Sequence, residues 1–93
     1  MGYEYRLQFV APDADSVAAS LRRLPSAREL TMPVQTFELR TDTLDKGMPD
    51  AEVRVEPGGA YFCDNGGAGK MFLGIVVEHL VSEFGAVKVA DWE

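Results

Sequence analysis

The chain is poor in cysteine, in histidine and in long apolar runs. Its single cysteine, Cys63, excludes an intrachain disulfide, although small secreted domains often depend on such cross-links. The longest uncharged apolar stretch, residues 71–77, is far shorter than the ~20 residues that span a bilayer. The N-terminus has no basic segment followed by an apolar run, so it does not resemble a signal peptide. We therefore expect a cytoplasmic protein that does not enter the membrane.

Basic residues are also scarce, with nine Lys and Arg against 15 Asp and Glu. Residues 1–40 contain five acids and five bases, whereas residues 41–93 contain ten acids and four bases. The whole net charge of −6 thus lies in the second part. This acidity repels phosphate backbones and argues against a nucleic-acid partner. It is compatible with docking onto a basic protein surface.

The remaining composition is that of one globular domain over residues 1–93, with 46% hydrophobic and 26% charged residues. Alternating apolar residues predict strands, and apolar residues at helical spacing predict helices. The predicted strands cover 3–10, 35–40, 51–56, 60–63 and 86–92, and the predicted helices cover 14–24 and 68–84. Asp13 is the expected N-cap of the first helix. Residues 25–34 form a connector without a clear period.

The predicted order of elements is β-α-β-β-β-α-β. Its first four and last two elements resemble a ferredoxin-like split βαβ pattern with an added strand. We expect an α+β two-layer sandwich, in which two helices cover one face of a mixed or antiparallel sheet of four or five strands. Folds of this type host many functions, so the fold alone does not name one.

A glycine-rich segment opens the second helix and is a candidate anion site, because free amides at a helix start can hold an anion beside a lysine. The candidate ligands are Asn65, Gly66, Gly67, Gly69 and Lys70. The segment departs from the P-loop pattern twice: Asp64 replaces the first glycine, and Met71 replaces the final Ser or Thr. The alternative is a tight strand-to-helix connection in which Asp64 or Asn65 caps the helix.

The residues that could catalyse a reaction or bind a metal form no complete set. Cys63 would need His79 as its base, but His79 lies about 15 Å from the start of its helix at 1.5 Å per residue. His79 and Glu83 share a helix face, yet they supply only two of the three or four ligands that a metal needs. We therefore predict no catalytic residue, no metal and no cofactor, and an ordinary polar pair between His79 and Glu83.

The predicted water-facing side of the sheet repeats a Glu-x-Arg pattern, in Glu4/Arg6, Glu38/Arg40 and Glu52/Arg54. In neighbouring strands these residues could pair crosswise. A sheet that binds RNA needs aromatic residues on this face. The expected register instead turns four aromatic residues towards the helices: Tyr3, Tyr5, Phe9 and Phe37. We interpret the face as a solubilising charge ladder or a charged docking surface.

Two features favour protein interaction. Met71 and Ile75 lie one turn apart on the second helix, opposite its apolar stripe, where they could form an interface unless the connector 25–34 covers them. The acidic segment offers a second surface, with Asp42, Asp45 and Asp50. The leading hypothesis is a small acidic, non-catalytic protein-interaction domain that forms a homodimer or binds a basic protein. The alternative is a domain or enzyme that binds a small anionic ligand at residues 64–70.

Overall fold

The computed structural model describes residues 3–32, 34–42 and 47–92. They form an α+β fold with two helices and a six-stranded antiparallel sheet. In chain order the elements are β1 (Tyr3–Gln8), α1 (Ala14–Arg22), β2 (Ala27–Leu30), β3 (Thr36–Leu39), β4 (Ala51–Glu56), β5 (Gly59–Asp64), α2 (Gly69–Phe84) and β6 (Lys88–Asp91). The strands lie side by side in the order β2-β3-β4-β5-β1-β6.

The sheet has one strand more than predicted, because part of the connector 25–34 is the edge strand β2. Its four residues read Ala-Arg-Glu-Leu and show no clear alternation of apolar and polar side chains. Pairing with β3 and an ion pair between Arg22 of α1 and Glu29 hold the strand in place. All strand pairs among the described residues are antiparallel, so a mixed sheet is excluded for this part of the chain.

One face of the sheet packs with both helices into a single core. Phe62 of β5, Val53 of β4 and Phe37 of β3 lie opposite one another across three strands, and all three are fully buried. The helices contribute Val17, Leu21, Phe72, Val76 and Leu80 to the same cluster. Full burial of one such side chain stabilises a fold by about 1.5–3 kcal/mol, so this face fixes the strand register.

Local signals set the ends of the elements. Asp13 caps α1 as predicted, since its Oδ1 accepts a hydrogen bond from the Ser16 N–H at 2.7 Å. This bond lowers the pKa of Asp13. The β4–β5 turn requires a positive φ at its third residue, and Gly58 has a φ of +80°. A Cβ at the next residue, Gly59, would overlap the carbonyl oxygen of Leu7, so the close approach of β5 to β1 requires glycine.

The opposite set of alternating sheet residues stays outside the core, and we call it the open face. Its members are Glu4, Arg6, Arg28, Glu38, Glu52, Arg54, Tyr61 and Cys63. The predicted crosswise Glu–Arg pairing on this face is wrong. Strand β5 separates β1 from β4, and the β3–β4 register places Glu38 opposite Glu52. Glu38 pairs instead with Arg40, two residues further along the chain, at 3.3 Å.

The Arg22–Glu29 pair should make part of the stability depend on pH. The hydrogen bond from Arg22, at 2.6 Å, and a second one from Gln35 lower the pKa of Glu29 from its usual 4.5 to about 2. On acidification the unfolded chain therefore takes up the proton first. The contribution of the pair is complete above about pH 4.5 and is lost as the pH falls towards 2.

We expect Glu29→Gln to flatten the acidic part of the stability profile, measured by urea unfolding between about pH 2 and 6. Asp91→Asn is the matched control, because Asp91 is exposed on β6 and forms no ion pair within the described residues. A Glu29→Gln profile parallel to that of the wild type would show that the pair does not stabilise the fold.

Candidate functional site

The glycine-rich loop between β5 and α2 is held by hydrogen bonds to Asp64 and to the segment before β4. The Asp64 carboxylate accepts from the Gly66 N–H at 2.8 Å. The Asn65 N–H donates to the carbonyl of Asp50 at 2.9 Å, and its side-chain amide donates to the carbonyl of Pro49 at 3.1 Å. These bonds build the tight strand-to-helix connection that the sequence offers as the alternative to an anion site.

Two carboxylates lie where an anion would approach this loop. Asp64 is buried beside the start of α2, and a side chain at Gly69 would overlap its carboxylate. A Cβ at Gly67 would come within 2.7 Å of Asp50 Oδ1. A helix N-terminus favours nearby negative charge, and Asp64 supplies it from within the chain. The anion site at Asn65, Gly66, Gly67, Gly69 and Lys70 stays a prediction, and these carboxylates weigh against it.

Of the three acidic residues predicted as a docking surface, the structure describes Asp42 and Asp50, whereas Asp45 lies outside the described residues. Asp50 Oδ2 accepts hydrogen bonds from the N–H and the hydroxyl of Thr41, at 3.0 Å and 3.1 Å. Its carbonyl also accepts from Asn65. Asp50 thus ties the acidic segment to the glycine-rich loop, so reversing its charge would disturb this structure as well as any docking.

The single histidine and the single cysteine lie in different surroundings. His79 Nε2 lies 2.8 Å from the carbonyl oxygen of Ser20 and 3.0 Å from its hydroxyl, so it joins α2 to α1. Glu83 forms an ion pair with Arg23, and not the predicted polar pair with His79. The thiol of Cys63 donates to Asn65 Oδ1 at 3.1 Å. No group of three or more His, Cys, Asp or Glu side chains in the described ranges could hold a metal ion.

The side of α2 that faces away from the sheet carries exposed apolar residues. Met71 is 52% exposed, Ile75 41% and Val81 45%. The connector does not cover Met71 and Ile75, because its central residues pair with β3 as strand β2. At helical spacing this side comprises Lys70, Met71, Gly74, Ile75, Glu78, Val81 and Ser82, and we call it the outer face of α2.

The open face carries a cluster of arginine and aromatic side chains that no sequence pattern predicted. Tyr61 on β5 lies directly between Arg6 on β1 and Arg54 on β4. The Arg54 guanidinium lies 4.7 Å from the centre of the Tyr61 ring, and that of Arg6 lies 4.9 Å from the centre of the Trp92 ring. The rings of Tyr61 and Trp92 pack edge to face, with their centres 4.9 Å apart. Together with Glu4 these residues form the arginine–aromatic cluster.

Tyr61 anchors this cluster. It is only 6% exposed, and its hydroxyl donates to Glu4 Oε2 at 2.6 Å. Burial raises the pKa of Tyr61, and the hydrogen bond to Glu4 raises it further, so the hydroxyl stays a donor. Arg6 also donates to the carbonyl of Trp92 at 3.3 Å. Both arginines are therefore held beside aromatic rings, a geometry that stabilises a guanidinium by about 0.5–1 kcal/mol at exposed sites.

Comparison with family models, with curated proteins and with solved structures finds no match to this chain. The function of the chain is therefore inferred from the geometry of its surfaces. Neither of the two helices in the described ranges is both long and apolar enough to span a membrane.

The Asp64 carboxylate should take the place at the start of α2 that a bound anion would otherwise occupy. Asp64→Ala removes the acceptor of the Gly66 N–H and should lower the free energy of unfolding by about 1 kcal/mol, measured in urea. The exposed Asp91→Ala serves as the control. Inorganic phosphate should leave the backbone amide NMR shifts of residues 65–70 in the wild type unchanged. Phosphate-dependent shifts that Lys70→Ala abolishes would instead establish the anion site.

Proposed function

We propose that this chain is a small acidic, non-catalytic protein-interaction domain that self-associates through the outer face of α2. The observation that carries the proposal is the exposed apolar strip formed by Met71, Ile75 and Val81 on the longest helix. Contiguous apolar residues with a polar rim are typical of interaction surfaces on soluble proteins. No catalytic residue is needed for this function.

The charges on the outer face fit a second copy of the chain in antiparallel orientation. Lys70 and Glu78 are its two charged residues, four positions before and four positions after Gly74. When two α2 helices cross antiparallel at Gly74, each Lys70 meets Glu78 of the other copy. Such a contact is isologous, so the same surface serves both copies and the assembly closes as a dimer.

Gly74 supports a close crossing of the two helices. A glycine inside a helix destabilises it by about 0.5–1 kcal/mol relative to alanine. A Cβ built at Gly74 meets nothing within 4 Å, so packing within the chain does not explain the residue. Stable interfaces bury about 800 Å² on each copy, and one pair of helices buries less. We therefore expect a weak dimer whose population depends on concentration.

A ferredoxin-like unit in two layers is part of the proposal. Strands β4, β5, β1 and β6 are neighbours in this order, so one strand separates β1 from β4 and one separates β5 from β6. This interleaving is typical of the split βαβ pattern, with α1 and α2 as the two crossover helices. Strands β2 and β3 then extend the sheet beyond β4. The lone Cys63 supports a reducing location, for which we propose the cytoplasm.

Two weaker candidates remain. The net charge of −6 and the exposed Asp42 favour a basic protein partner at the acidic segment. The positive φ angles of Gly66 and Gly67, beside Lys70, favour a small anionic ligand at the glycine-rich loop. The acidic segment contributes no residue to the outer face of α2, whereas Lys70 belongs both to this face and to the candidate anion site. The Met71→Glu, Ile75→Glu test of self-association changes neither site's residues.

The first test is the solution mass by light scattering over a range of protein concentrations. The wild type should shift from monomer towards dimer, and the double variant Met71→Glu, Ile75→Glu should remain monomeric because it places four carboxylates in the contact. Met48→Glu is the matched control, since Met48 is an exposed methionine outside α2. A wild type that is monomeric at every concentration would remove self-association.

A charge exchange tests the antiparallel orientation. Lys70→Glu and Glu78→Lys should each weaken the dimer, because each places like charges opposite one another. The double variant Lys70→Glu, Glu78→Lys should restore the wild-type dimer, since both ion pairs form again in reverse. Additive weakening in the double variant would exclude this pairing.

Gly74→Ala separates folding from association. We expect it to raise the free energy of unfolding of the monomer by about 0.5–1 kcal/mol, because alanine is the better helix former. It should at the same time weaken the dimer, since the added methyl group holds the two helices apart. Stronger association in Gly74→Ala would contradict a crossing at this residue.

A further inference from the structure

The arginines divide into two groups by their partners. Three of them form ion pairs: Arg22 with Glu29, Arg23 with Glu83 and Arg40 with Glu38. The other three form no ion pair within the described residues, and all of them lie on the open face: Arg6, Arg28 and Arg54. In a chain with six more acids than bases, this concentration of unpaired arginines marks the face as a binding surface.

The charge of the open face differs from that of the rest of the molecule. Along the strands of this face and at their ends lie five bases, namely Arg6, Arg28, Arg40, Arg54 and Lys88. The acids on the same strands and at their ends are Glu4, Glu38, Asp50, Glu52 and Glu56. The face thus carries no net charge, and the net −6 lies on the remainder of the chain. On this face the unpaired arginines are the groups complementary to an anionic partner.

The two central arginines are positioned before any partner arrives. Arg54 is held over Tyr61, and Arg6 over Trp92. A planar guanidinium accepts a carboxylate through two parallel hydrogen bonds, and prior positioning lowers the entropy lost on binding. Arg6 and Arg54 lie two strands apart, about 10 Å at ~4.8 Å per strand. Side chains on one face of an extended peptide recur every second residue, so carboxylates two or four positions apart, ~7 Å or ~13 Å, bracket this distance.

A shallow hollow of about 280 Å³ continues the face beyond Arg54. Its lining consists of Leu30, Met32, Val34, Thr36, Glu52 and Arg54. Met32 and Val34 are both exposed, so the hollow presents apolar surface to solvent beside a guanidinium. It has room for one aliphatic side chain. From Arg54 to β2 is about 10 Å or less, which two or three extended residues cover.

We propose that the open face binds an extended acidic peptide segment of a partner protein, with two carboxylates on Arg6 and Arg54 and an aliphatic side chain in the hollow. The segment runs across the strands, with acidic residues four positions apart and the aliphatic residue two positions further on, so that all three side chains share one face. A polyanion such as nucleic acid is disfavoured, because the charge of −6 on the rest of the chain repels it. The site is separate from the outer face of α2 and does not require the dimer.

The test uses the intrinsic fluorescence of Trp92, which is the only tryptophan and lies within the site. The probe is a capped seven-residue peptide with Glu at positions 1 and 5, Leu at position 7 and Gly elsewhere. We expect a saturable change in emission that weakens with added salt, because the contacts are ionic and exposed. The same peptide with Gln in place of Glu should give no saturable change.

Two variants and one matched control locate the binding. Arg6→Gln and Arg54→Gln should each raise the dissociation constant about tenfold, the effect of removing one hydrogen-bonded charge pair. Arg23→Gln makes the same chemical change at the end of α1, where the arginine pairs with Glu83 of α2 and with no strand of the site, and it should bind as the wild type does. Replacing Leu with Ser in the peptide should weaken binding to the wild type and to Arg23→Gln alike. Circular dichroism checks that every variant is folded.

Several results would overturn the proposal. They are no saturable change with the Glu peptide at millimolar concentration, equal binding of the Gln peptide, and equal loss of binding in Arg23→Gln. Tighter binding of an oligothymidylate of matched charge would assign the face to single-stranded nucleic acid instead. A peptide affinity that follows the dimer population of the wild type and is lost in the monomeric Met71→Glu, Ile75→Glu variant would place the site at the interface between copies.

Discussion

The insertion of β5 between β1 and β4 is the constraint on which the rest of the structure depends. All six residues of β5 are buried, and each side of the strand pairs with a neighbour along its full length. Gly59 permits the approach to β1, Phe62 enters the core, and Tyr61 emerges between two arginines on the other side. Asp64, at the end of the strand, closes the loop into α2. One strand thus organises the core, the helix start and the open face.

Much of the fold could be predicted because each signal is local. Alternation along β1 and β4, the cap at Asp13, the turn at Gly58 and the apolar spacing in α2 depend on neighbours in the sequence. Strand β2 could not be found in this way, because what makes it a strand is pairing with β3 and an ion pair to α1. The strand order was also beyond reach, since it depends on long-range pairing that composition does not encode.

The candidate sites differ in the same way, because some depend on local spacing and others on long-range strand pairing. Helical spacing placed Met71 and Ile75 opposite the apolar stripe and left open whether residues 25–34 cover them, and both prove to be exposed. The arginine–aromatic cluster did not follow, because its members come from β1, β4, β5 and the residue after β6. Its single local signal was that Arg6 and Arg54 share the water-facing side of their strands. The sequence-based assignment of aromatic residues to the helix-facing side did not include Tyr61. The place of Tyr61 between two arginines follows only from the strand order.

The core that residues of both helices share with one set of sheet residues has a consequence for assembly. In the proposed two-layer arrangement, the outer face of α2 and the open face point in opposite directions. A dimer closed through α2 would therefore display two peptide-binding faces at its far ends. Such a particle is bivalent and can bridge two acidic segments of one partner or of two. Linking two sites in this way can raise avidity by about 10²–10⁴ without any new contact, so a weak binding face would suffice for a firm cross-link.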